Sequence, residues 1–200
     1  MDIDLIVRQL RSCGFVVVED ALAPALRRRL DTGCADTVAF PFAAGGMGRG
    51  EDRTHDALVR GDVVRWLDDA KDADHSYLCV MEALRVAINE QLFLGLLDYE
   101  AHYAIYPTGA RYERHLDALV GERNRLLSTV VYLNGEWTAA DGGELVLYRA
   151  SDGSVLVRVL PRPGAMVLFL SEDFPHEVLA ATKPRRSIAG WFRGRVAGRG

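Results

Sequence analysis

A chain of 200 residues with 49% apolar and 26% charged side chains has the composition of an ordinary globular protein, long enough for one sizeable core. Its net charge of −4 gives no sign of a nucleic-acid surface, and its longest apolar runs, such as "LLSTVVYL", are too short to cross a bilayer. Cys13, Cys34 and Cys79 fit neither a zinc pattern nor a disulfide framework, and "MDIDLIVRQL" carries acids where a signal peptide carries bases. The expectation is a cytoplasmic protein with no membrane partner.

In chain order, "DLIVRQLRSCGF" spaces Leu5, Ile6, Leu10 and Cys13 as one helical face, with Gly14 as the stop. "FVVVED" reads as a short strand. "ALAPALRRRLDTG" reads as a second helix, with Pro24 near its start and Gly33 just past its end. The glycine-rich segment from about Phe40 to Val59 reads as a mobile loop; Gly45, Gly46, Gly48 and Gly50 lack the G-K-[ST] ending of a phosphate loop. Ala73 to Leu94 is the strongest helix in the chain.

After Tyr99 the pattern changes to short β-rich segments: "EAHYAIYP", "RYERHLDA", "LLSTVVYLN", "GGELVLYRA", "SVLVRVLP", "AMVLFLS", "HEVLAA" and "RSIAGWF". Turn signals divide them at Pro107–Gly109, Asn134–Gly135, Asp141–Gly143, Asp152–Gly153, Pro161–Gly164 and Lys183–Pro184. This spacing predicts a sandwich, barrel or jelly roll. The reading is one α+β domain over residues 1–200. Residues 1–98 give mainly helical support and the mobile lid, 99–192 the β-core, and 193–200 a flexible Gly/Arg tail.

The chemistry starts at "YERHLDAL". Residues i and i+2 of a strand share a face, so His115 and Asp117 can converge on one ion. Alone, H-x-D is a weak signal, since solvated side chains at a strand end read the same way. The segment "DFPHEVLAATKPRRSIAGWF" adds His176 at the start of another strand. Two histidines and one carboxylate occupy one face of Fe(II) and leave three positions open, as a chelating co-substrate plus dioxygen require. Nine residues after His176, Arg185 heads the next strand. A planar, permanently charged guanidinium suits the far carboxylate of a dicarboxylate such as 2-oxoglutarate. Alternation places Arg185, Ser187, Ala189 and Trp191 on one face, and the R-x-S context favours Arg185 over Arg186.

This order of motifs resembles the Fe(II)/2-oxoglutarate-dependent dioxygenases. "YPTGARYERHLDA", "STVVYLNGEW", "DGGELVLY", "PHEVLAATKPRRSIAGWF" and "VRGDVVRWL" narrow the resemblance to prolyl hydroxylases of the type acting on hypoxia-inducible factor, and their bacterial relatives. It covers the chain from about Phe40 onward. It implies a double-stranded β-helix, a jelly-roll core buttressed by the N-terminal helices. His115, Asp117 and His176 match the iron ligands. Arg185, with Ser187 beside it, and Tyr132 match the 2-oxoglutarate carboxylate site, and Tyr106 matches a tyrosine lining the pocket near the iron. Arg60 and Asp62 match a pair beside the prolyl substrate, Arg125 the arginine tied to that aspartate, and Trp191 a tryptophan at the substrate entrance. The glycine-rich loop matches the lid that closes over the peptide.

The implied activity is hydroxylation of a prolyl residue at C4 in a protein, with Fe(II), 2-oxoglutarate and dioxygen, ascorbate as reductant, and release of succinate and carbon dioxide. Bacterial relatives point to translation-related substrates. The lid "AAGGMGRGEDRTHD" departs from the family pattern, which leaves the substrate open. Competing readings are the same chemistry on a small molecule, a free amino acid or a nucleobase, and a sensor module that kept the metal site without turnover. His55, His75 and His102 have no partner pattern and read as solvated or satisfied.

Overall fold

The computed structural model describes residues 1–35, 42–45, 59–118 and 124–195. Most of the expected lid, including His55, lies outside the described residues, as do 119–123 and the end of the tail at 196–200. Helix α1 (Ile3–Cys13) begins where the Asp2 carboxylate accepts the Leu5 N–H at 2.9 Å. It ends at Gly14, whose positive φ of 78° lets its N–H reach the Leu10 carbonyl. Strand β1 (Phe15–Val18) follows. Helix α2 (Pro24–Ala35) runs through Gly33 rather than stopping before it. Cys34 is fully buried and Arg65 donates to the Gly33 carbonyl at 3.0 Å, so tertiary contacts override the weak helix preference of glycine.

Strands β2 (Ala43–Ala44) and β3 (Val63–Trp66) precede the long helix α3 (Asp72–Leu92). Helix α3 closes at Phe93 in the left-handed region, and the Asn89 amide pairs with both the N–H and the carbonyl of Leu96. Then come β4 (Asp98–Tyr106), β5 (Tyr112–His115), β6 (Arg125–Tyr132), β7 (Leu145–Tyr148), β8 (Val155–Val159), β9 (Met166–Leu170), β10 (His176–Val178) and β11 (Arg185–Arg193). These eight correspond to the eight β-rich segments of the sequence. Arg193, expected in the tail, closes β11.

All strand pairs are antiparallel. A large sheet runs β1-β9-β6-β11-β4-β3-β2 and a small one β5-β10-β7-β8. Strands β4 to β11 form the double-stranded β-helix, while β1, β2 and β3 extend the large sheet, so the N-terminal part contributes strands as well as helices. One apolar core, including Val64, Leu145, Leu147, Val167 and Phe169, lies between the sheets. A second fills the space between the helices and the outer face of the large sheet. There Leu30, Tyr77, Met81, Leu84 and Ile88 are fully buried, and each such side chain contributes roughly 1.5–3 kcal/mol. Arg186 points to this helical side and pairs with Asp31 at 2.6 Å, so the two adjacent arginines of β11 serve opposite faces. All three cysteines are free thiols. Among the described residues no helix is long and apolar enough to cross a membrane.

Candidate active site

The two histidines meet through strand register. Antiparallel pairing of β10 with β5 makes His176 and His115 direct partners, and their rings lie 4.2 Å apart. Asp117, two residues past His115, brings its carboxylate between them: Oδ1 is 3.7 Å from His115 Nε2 and Oδ2 is 3.6 Å from His176 Nε2. The three ligand atoms lie within 4.8 Å of one another, the one such cluster among the described residues.

Both imidazoles are oriented by backbone. His115 Nδ1 lies 2.7 Å from the Glu113 carbonyl and His176 Nδ1 lies 3.0 Å from that of Phe174. A carbonyl only accepts, so Nδ1 carries the proton in each ring and Nε2 presents its lone pair to the centre, as metal ligation requires. Tyr112 stacks on His115 with centroids 3.6 Å apart. Burial and the neighbouring His176 push the His115 pKa down to about 4, against the pull of Asp117, which favours the neutral ligand form. Burial alone would raise Asp117. The two histidines, the Ser128 hydroxyl at 2.7 Å and the Trp191 indole outweigh it and hold the carboxyl at about 2.

The triad opens into a cavity of about 610 Å³ whose far wall is the inner face of the large sheet. Alternation along β11 sends Arg185, Ser187, Ala189 and Trp191 into it, as expected from the sequence. Arg185 is 2% exposed, lies over the Tyr106 ring at 4.2 Å, and donates Nη1 to the Gly143 carbonyl at 3.0 Å. Its Nε and the hydroxyl of fully buried Tyr132 have no hydrogen-bond partner, and among the described residues no carboxylate pairs with this guanidinium. A buried cation in that state calls for an anionic partner. Arg185, Tyr132, Tyr106 and Ser187 thus form one polar pocket on the large sheet, facing the triad on the small one.

Arg60, Asp62, Arg125 and Trp191 are also brought together along the cavity, with one change of pairing. Asp62 binds Arg60 at 2.6 and 3.0 Å, not Arg125. Arg125 goes instead to Glu100 at 2.9 Å and lies over the Trp191 ring at 3.6 Å. Both choices follow from sheet geometry: Arg60 and Asp62 are two residues apart, while Glu100 stands opposite Trp191 in the β4–β11 ladder. Three residues around the site were given no role in the sequence reading. Ser128 sits in an apolar strand, where a buried hydroxyl needs a partner. Glu100 and His102 share the parity of Tyr106 along β4, a signal that was available.

Comparison with known proteins agrees with this arrangement. Residues 101–193 match the family described as the 2OG-Fe(II) oxygenase superfamily. A crystal structure of a Pseudomonas putida prolyl-4-hydroxylase superposes with a TM-score of 0.86 at 39% identity, covering 96% of this chain and 98% of that one. The chain belongs to the 2OG-Fe(II) oxygenase superfamily. A Trichoplax adhaerens prolyl hydroxylase, solved with a hypoxia-inducible factor peptide, shares the oxygenase fold with a TM-score of 0.84 at 24% identity, covering 96% of this chain and 88% of that one. The prolyl 3-hydroxylase OGFOD1 of Xenopus laevis is 36% identical over 88 residues, which is 40% of this chain and 17% of that protein's own length. This oxygenase family implies Fe(II) and 2-oxoglutarate. The triad's three inward lone-pair donors fit the first, and the unpartnered Arg185 and Tyr132 groups fit the carboxylate of the second.

Proposed function

We propose that this chain is a prolyl hydroxylase that oxidises C4 of a prolyl residue in a protein substrate. The observation that carries the reading is the single cavity joining a two-histidine, one-carboxylate triad to a buried guanidinium that lacks a carboxylate. The prolyl target and C4 rest on the near-full-length likeness to a prolyl-4-hydroxylase.

His115, Asp117 and His176 would hold Fe(II) on one face, and Arg185 with Tyr132 would fix the far carboxylate of 2-oxoglutarate, with Tyr106 and Ser187 beside it. Together these groups supply oxidation of an unactivated C–H bond by dioxygen, with release of succinate and carbon dioxide. The chain itself orients and shields. Backbone carbonyls fix both imidazoles, and Ser128 fixes the carboxylate. The inter-sheet core excludes water from the Arg185 side, so its attraction for an anion acts in a low dielectric. Arg60, Asp62, Arg125 and Trp191 line the same cavity, and in this reading they would contact the peptide. Within this reading ascorbate keeps the iron ferrous, the chain works in the cytoplasm, and translation-related proteins are the first targets to examine.

The test is incubation of the purified protein with an extract of its own cells, Fe(II), 2-oxoglutarate and ascorbate, followed by peptide mapping. A prolyl peptide that gains one oxygen with the wild type and not with His176→Ala supports the reading. Fragmentation of that peptide separates C4 from C3. Succinate formation with no modified peptide moves the target to a small molecule or nucleobase. No succinate above the variant's level leaves a non-catalytic binding module.

A further inference from the structure

His102 lies outside the machinery described so far. It is 3% exposed on β4, lines the active-site cavity, and is held between Trp66 at 5.2 Å and Trp191 at 5.4 Å. Its Nδ1 lies 3.1 Å from the Tyr103 carbonyl, which can only accept, so that nitrogen carries the ring proton. Burial, together with Arg60 and Arg125 nearby, pushes its pKa down to about 4 against the pull of Asp62. The ring is therefore neutral at physiological pH, and its Nε2 is a bare acceptor. Among the described residues nothing donates to it.

The two carboxylates nearest on this wall, Asp62 and Glu100, already hold arginines. Arg60 donates to both oxygens of Asp62, and Glu100 accepts from Arg125 at Oε1 and from Arg193 at Oε2. Trp191, against which His102 rests, faces Asp117 with its indole. The imidazole thus packs on the same Trp191 ring that neighbours the Asp117 carboxylate, and all three residues line one cavity. A prolyl nitrogen has no hydrogen, so any backbone donor presented here belongs to a flanking residue.

We propose that His102 is a specificity-determining residue whose Nε2 accepts a backbone N–H adjacent to the target proline. This rests on the prolyl reading above. An apolar residue here would strip that N–H of its partner, whereas glutamine still offers an acceptor.

The experiment uses capped Xaa-Xaa-Pro-Xaa-Xaa pentapeptides, with a parallel set N-methylated at one flanking position at a time, on wild type, His102→Leu and His102→Gln. Wild type should lose about tenfold in peptide KM on methylation at one flanking position. His102→Leu should show a similar KM increase with unmethylated peptides, no further response to methylation, and little change in kcat. His102→Gln should recover most of the loss. Histidine ¹⁵N spectra of the wild type should show Nε2 as the unprotonated nitrogen; a proton on Nε2 overturns the proposal independently of any substrate. Wild type active but equally sensitive to methylation in His102→Leu overturns this inference alone. Wild type inactive on every prolyl peptide overturns the prolyl reading and this donor with it.

Discussion

Ser128 holds Oδ2 of Asp117 and leaves Oδ1 on the His115 side. Its hydroxyl is in turn set by Ser171 at 2.8 Å, so two buried serines fix the rotation of the carboxylate. Ser128→Ala should keep the fold and weaken Fe(II) affinity by about 10–100-fold, as loss of an outer hydrogen bond to a metal ligand does. Titration with Mn(II) as a probe would check it, and unchanged affinity would remove the positioning role.

Tyr132 gives a prediction with opposite signs for stability and binding. Its buried hydroxyl has no hydrogen-bond partner within the protein. Tyr132→Phe removes that unsatisfied group and should raise unfolding free energy by about 1 kcal/mol while raising KM for 2-oxoglutarate. Denaturant titration and steady-state kinetics on one preparation would show both changes. A loss of stability would contradict the pocket described.

Arg185 tests the anionic partner. Lysine keeps the charge and loses the planar fork and the stacking over Tyr106. Arg185→Lys should cost about 2 kcal/mol in 2-oxoglutarate binding, roughly a 30-fold rise in KM. An unchanged KM would mean that the co-substrate carboxylate binds elsewhere.

His102 also gives a signed pH dependence. Its pKa is about 4 when folded and about 6.5 when unfolded, so between these values the unfolded chain binds more protons. Stability is intact above pH 6.5 and falls as pH drops towards 4, by about 3 kcal/mol from this residue near pH 4. His115 adds a slope of the same sign in the metal-free protein. His102→Leu should therefore lose less stability than wild type between pH 7 and 4.5 in denaturant titrations. Equal losses would place the buried imidazole's charge cost elsewhere.

Gly190 tests the packing of the central strand. A Cβ there would clash with the Tyr99 hydroxyl and come within 2.8 Å of Ala101 Cβ. Tyr99 cannot swing away, because Thr129 and Tyr77 hold its hydroxyl at 2.7 and 3.0 Å. Gly190→Ala should destabilise by about 1–3 kcal/mol in thermal or denaturant unfolding. A neutral outcome would mean the β4–β11 contact is looser than described.

The strands after Tyr99 were legible because turn residues punctuate them and most are rich in β-branched, aromatic and other apolar residues. The triad was legible because strand alternation carries His115 to Asp117, and because His176 opens a separate strand. Strand β3 was not legible. Only Val64 of its four residues is buried, and Trp66 is half exposed, so the strand exists through its pairing with β4 rather than its own pattern. The partners of Asp62 and Arg125 were hidden for a related reason: Asp62 and Glu100 both line the cavity with Arg60 and Arg125, and the β4–β11 register that sets Glu100 opposite Trp191 is a property of the folded sheet. His102 read as unremarkable because its value as an acceptor depends on a carbonyl that only the folded backbone supplies.

The two sheets divide the active site between them. The two-histidine, one-carboxylate triad belongs to β5, β10 and the turn after β5, whereas Arg185, Tyr132 and Tyr106 stand on β11, β6 and β4. Neither sheet alone can grip both ends of a five-carbon dicarboxylate. Separation of the sandwich would part the triad from the Arg185 pocket and let water into the gap. The apolar residues between the sheets act, in effect, as the interlock on the chemistry.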